Sequence, residues 1–91
     1  MTEYRKSVFD FVDSFEIGMP LYTVSRDYGI TVYKLDRIIM DVLSEDYISV
    51  VFVLDRSPYV NVERHKMEDF NESFFADFEI AKQRHKSLLE V

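Results

Sequence analysis

Apolar positions recur at helical spacing over three stretches of this chain and crowd into one run between them. From about Glu3 to Glu16, Tyr4, Val8, Phe11, Val12 and Phe15 repeat three or four apart, which predicts an amphipathic helix. Gly18 and Pro20 end that helix and open the next element, since proline suits a first helical turn. A short helix over about 21–28 stops at Gly29. Thr31 can cap a third, in which Val32, Leu35, Ile38, Ile39, Val42 and Leu43 form a buried stripe ending near Asp46.

The run from Ile48 to Leu54, apolar except for Ser49, predicts a buried strand by length and β-branched content. Asp55 to Pro58 reads as a turn, and 59–62 alternates as a second strand, so the two make a hairpin. From Lys66 to about Leu89 the pattern is helical again. Met67, Phe70, Phe74, Phe78, Ala81, His85, Leu88 and Leu89 fall within an arc of roughly 100° at helical pitch. The expected order is α-α-α-β-β-α. The expected class is α+β, in one domain over residues 1–91 with a C-terminal amphipathic helix.

Composition narrows the chemistry. Without cysteine there is no disulfide scaffold, thiolate zinc site or cysteine nucleophile. No apolar run approaches the ~20 residues that span a bilayer, and no charged-then-apolar leader opens the chain. A cytoplasmic domain without membrane contact is expected. Net charge is −6 and unevenly placed: 7–25 carries −3, 38–55 carries −4 and 67–81 carries −5. Such acidity opposes non-specific nucleic-acid binding while leaving room for a local basic surface.

The segment Leu21-Tyr-Thr-Val-Ser-Arg-Asp-Tyr-Gly29-Ile-Thr-Val-Tyr-Lys-Leu35-Asp-Arg-Ile38 resembles a helix-turn-helix unit. Ser25 is the small residue at the helix crossing, and Gly29 supplies the positive φ of the turn. Val24, Tyr28, Ile30, Leu35 and Ile38 stand as the apolar anchors. With the hairpin that follows, the chain resembles the winged helix-turn-helix family: helix-turn-helix over about 20–46, wing over about 47–63, last helix over about 66–89. The resemblance implies a DNA-binding regulator whose 31–46 helix enters the major groove of duplex DNA. On that implication Thr31, Tyr33, Lys34 and Arg37 read bases or phosphates, Arg26 meets a phosphate, and Arg56 at the 55–58 wing tip reaches a minor groove. Asp36 and Asp41 on the same helix depart from the family pattern.

The second expectation is an acidic protein-interaction module. In size and acidity the chain resembles small phage-encoded inhibitors of host enzymes, which would make a host protein the partner. Glu68, Glu72 and Glu79 fall in one sector of the expected last helix, a carboxylate row spaced like strand phosphates. Asp13 and Glu16 sit near the C-terminal end of the first helix, where the dipole disfavours them, and with Asp10 they form a candidate acidic patch. Phe70, Phe74, Phe75, Phe78 and Leu88 give the last helix an apolar load that points to a homodimer interface.

Other chemistry lacks its residues. The two glycines stand eleven apart, so no phosphate loop exists. His65 has Glu68 and Asp69 nearby, too few ligands for a metal. The serines show no nucleophile motif. Enzymatic activity, cofactor, metal and small-molecule substrate are all expected to be absent.

Overall fold

Between Pro20 and Asp55 the chain is extended almost throughout, in a computed structural model that describes residues 3–58 and 62–90. Helix α1 (Glu3–Asp13) precedes strands β1 (Pro20–Ser25), β2 (Gly29–Ser44), β3 (Tyr47–Asp55) and β4 (Val62–Lys66). A 3-10 turn at Met67–Asp69 leads to the two-residue strand β5 (Phe74–Phe75) and to helix α2 (Phe78–Leu89). The strands form one sheet in the order β4-β3-β2-β1-β5. Every neighbouring pair is antiparallel.

This corrects the expected winged-helix fold and its α-α-α-β-β-α order. The helices expected over 21–28 and 31–46 are strands β1 and β2, and the helix expected over 66–89 exists only from Phe78. The first helix forms but ends at Asp13 rather than near Glu16, and the strand expected over 48–54 is β3. A hairpin follows it, from Asp55↔Val62 to Val51↔Lys66, but its described second strand is Val62–Lys66 rather than the expected 59–62, of which 59–61 lie outside the described residues.

A β-bulge explains the largest misreading. The ladder of β2 with β3 steps from Leu35↔Leu54 to Arg37↔Val53, so Asp36 is an extra residue. Tyr33 and Leu35 face the core before the bulge, and Ile38 and Met40 face it afterwards. One inserted residue turns a period of two into a spacing of three, which imitates a helix. The β-branched Ile30, Thr31, Val32, Ile38, Ile39 and Val42 carried the opposing signal.

One face of the sheet holds the main core: Leu21 of β1, Tyr33 and Leu35 of β2, Ile48, Val50, Phe52 and Leu54 of β3, and Phe74 of β5. Helix α1 covers it with Val8, Phe11 and Val12. Phe11, Phe15, Phe52, Phe70 and Phe74 meet edge to face or tilted, with ring centroids 4.7 to 6.1 Å apart. Such pairs add about 0.5–1.5 kcal/mol each beyond burial. On the other face Tyr22 pairs in register with Phe75, and α2 begins there with Phe78 5.5 Å from Tyr22. Asp77 caps α2, its carboxylate accepting from the Glu79 and Ile80 amides.

Gly29 has φ +75°, as expected, but it closes the hairpin loop between β1 and β2 rather than a helix-turn-helix. A Cβ there would meet nothing nearer than 3.9 Å, so a side chain would suffer backbone strain without a clash. Replacing Gly29 with valine is expected to cost about 1–2 kcal/mol in urea denaturation with an unchanged m-value.

Candidate functional site

The residues expected to read DNA are dispersed. Arg26 lies in the β1–β2 loop, and Thr31, Tyr33, Lys34 and Arg37 lie along β2 instead of on a helix. Strand alternation turns Thr31 and Tyr33 to one face and Lys34 to the other. Arg37 is 3.4 Å from the Asp36 carboxylate. Arg56 follows β3 and lines a cleft with Thr31 and Tyr33. Among the described residues, no helix carries this set toward a groove.

The other expected surfaces also come apart. Glu68 sits in the 3-10 turn, Glu72 in the turn before β5 and Glu79 on α2, so no single helix presents the row. Asp10 and Asp13 lie on α1, with Glu16 just beyond it. Asp10 is bound to Lys6 at 2.9 Å, and that hydrogen bond, with the carboxylate charge, raises the Lys6 ammonium above its ordinary value. Of the expected dimer residues, Phe74 and Phe75 are buried within the single chain, and Phe70 belongs to the ring cluster. Only Phe78, 45% exposed, remains a surface aromatic, and Leu88 lies half-buried near the other end of α2.

What the fold brings together is a line of four polar side chains. Glu63 and His65 are two apart on β4, opposite Leu54 and Phe52, so both turn toward the core face of the sheet. The Tyr33 hydroxyl donates to Glu63 Oε2 at 2.8 Å, and Glu63 Oε1 lies 2.8 Å from His65 Nε2. His65 Nδ1 lies 3.0 Å from Ser73 Oγ. One proton arrangement satisfies every member when the imidazole is neutral: Glu63 accepts from Tyr33 and from Nε2–H, which leaves Nδ1 to accept from the Ser73 hydroxyl. Phe74 packs against the imidazole with centroids 5.3 Å apart. Only 14% of the His65 side chain is exposed.

The line floors two adjoining clefts of about 720 and 460 Å³ that share Thr23, Ser25, Thr31 and Glu63. Arg56 borders the larger and Arg84 the smaller. Sequence reasoning noted Tyr33 and Arg56 for another purpose and missed Glu63 and Ser73. The Glu63-x-His65 alternation was the available signal, since residues two apart on a strand share a face. Ser73 had none, because a turn brings it there from the opposite edge of the sheet.

A second feature is the free end of the β2–β3 hairpin. β1 stops at Pro20↔Lys34, and Leu35 bonds only to the loop at Gly18 and Met19. From Arg37 to Ser44, among the described residues, β2 pairs with β3 alone. Val42 and Leu43 are 56% and 65% exposed there.

Among the described residues no group of three or more histidine or acidic side chains converges to hold a metal, and no helix is long and apolar enough to cross a membrane. Comparison with family models, curated proteins and solved structures finds no match to this chain.

Tyr33 is 3% exposed, so its hydroxyl bond to Glu63 contributes to stability. Tyr33→Phe is expected to lower unfolding free energy by about 1 kcal/mol, read from the denaturation midpoint.

Proposed function

We propose that this protein is an interaction module that receives an extended, positively charged segment of a partner protein along the outer edge of β2. The observation that carries this reading is the outer edge of β2 from Arg37 to Ser44, which among the described residues no second strand covers, because open strand edges are templates for strand addition. The other edges are blunted. Among the described residues β4 is five long with the charged run Glu63-Arg64-His65-Lys66, and β5 has two residues. At the tip of β3, the Tyr4 hydroxyl accepts from the Ile48 amide at 3.0 Å and donates to the Ile48 carbonyl at 3.4 Å.

That tyrosine also fixes which backbone groups the free edge offers. The polar groups of Ile48 point away from β2, so its register partner Val42 points away from β3. Alternation then turns the amides and carbonyls of Ile38, Met40 and Val42 outward together. Around them stand Asp36, Asp41, Glu45 and Asp46 against the single Arg37. An added strand therefore gains backbone hydrogen bonds, apolar contact with Val42 and Leu43, and charge attraction if it is basic. This is the acidic-module expectation, moved from helices to a strand edge.

The test is selection of binders from a random peptide display library. Enriched sequences are expected to be basic and β-branched, to bind more weakly in high salt, and to shift the amide resonances of residues 37–43. Val42→Pro removes one outward amide at an exposed position and should weaken binding about tenfold or more. Reversal of Asp41, Glu45 and Asp46 to lysine should abolish the preference for basic peptides. Failure to enrich any sequence, or binding untouched by Val42→Pro, rejects the reading. Concentration-dependent shifts of the same amides without peptide would replace the partner by a second copy, and duplex DNA shifting residues elsewhere would replace it by nucleic acid.

A further inference from the structure

The Ser73–His65–Glu63 line has the parts of an activated nucleophile, and we propose that Ser73 is acylated by small esters with His65 as its general base. The inference is independent of the strand edge. A weak nucleophile becomes reactive when a base lies within hydrogen-bond reach and a third group orients that base. Here the separations are 3.0 Å from Ser73 Oγ to His65 Nδ1 and 2.8 Å from Nε2 to Glu63. Glu63 is fixed in turn by the buried Tyr33 hydroxyl, and the imidazole by Phe74. The carboxylate holds Nε2 in its protonated form, so the nitrogen facing the serine is the one with a free lone pair.

The backbone holds the serine to this place. Asn71 has φ 65° and donates its amide to the Phe74 carbonyl at 2.8 Å, while the Ser73 amide donates to the Asp69 carbonyl at 2.9 Å. The tight turn so made presents Ser73 to the cleft of about 460 Å³ that Thr23, Thr31 and Arg84 also line. The hydroxyls of Thr23, Ser25 and Thr31 line it and can donate to a carbonyl oxygen gaining negative charge. Arg84 faces the same cleft as Glu72 and is the cation there that can meet an acyl group carrying a carboxylate.

In the reaction the Ser73 oxygen bonds to the acyl carbon while its proton passes to His65 Nδ1, and Glu63 faces the imidazolium that results. Collapse of the tetrahedral adduct breaks the carbon–oxygen bond to the alcohol, which leaves with that proton. Water then attacks the acyl-serine, again giving its proton to His65. The serine takes the proton back as the acid departs.

The experiment uses the whole chain, a fluorophosphonate probe and two 4-nitrophenyl esters, the acetate and the hemisuccinate. One phosphonyl group per chain, mapped to Ser73, is expected, with the hemisuccinate preferred. Ser73→Ala should abolish labelling, and His65→Gln should slow it by about 10²- to 10⁴-fold. Arg84→Gln should lower hemisuccinate turnover more than acetate turnover and so remove the preference. Glu63→Gln, which keeps the imidazole and loses the carboxylate, must also slow labelling, so the proposal stays testable if His65→Gln does not fold. No adduct, an adduct on another hydroxyl, or unchanged labelling in Glu63→Gln overturns it.

Discussion

The ladder between β2 and β3 is the pairing on which the other elements depend. It runs from Lys34↔Asp55 to Ser44↔Tyr47 and lays Ile48, Val50, Phe52 and Leu54 on one face as the floor of the core. Helix α1 packs over this floor, and β1 and β4 each add to one side of the pair. Burial fixes the register, since a slip by one residue would turn Phe52 and Leu54 to the opposite face.

The same ladder outruns the rest of the sheet, and the protein treats its two sides differently. On the β3 side a tyrosine from α1 satisfies the backbone of Ile48. On the β2 side the acidic residues discourage pairing with a like-charged strand while leaving the edge open to a basic one. At the opposite end the outermost strands approach each other. β4 and β5 are farthest apart in strand order, yet His65 of one touches Ser73 and Phe74 beside the other. The polar line is therefore both a seam in a curled sheet and the floor of its clefts.

How much was legible in the sequence follows from where pattern and structure share a period. Tyr4, Val8, Phe11 and Val12 repeat at helical spacing on a real helix, and Ile48 to Leu54 has the composition of a real strand. Gly29 announced its left-handed backbone without saying which turn it closed. β2 defeated the reading because bulges at Asp36 and near Leu43 break its alternation. Phe70, Phe74 and Phe78 lie four apart, as on a helix, but the 3-10 turn and β5 place the first two in the core before α2 begins. The site was less visible still: Glu63 and His65 share a strand, whereas Tyr33 and Ser73 reach them only through sheet order and curl.

The bulge at Asp36 has a consequence for how this chain tolerates change. An exposed side chain on an extra residue is free to vary, since it neither packs nor completes the ladder. Its backbone is not free, because every residue from Arg37 to Val42 takes its facing from that one added step. Position 36 thus behaves, for the fold, like a base inside a reading frame: its identity is nearly silent, while its removal would recode the strand as far as the next bulge.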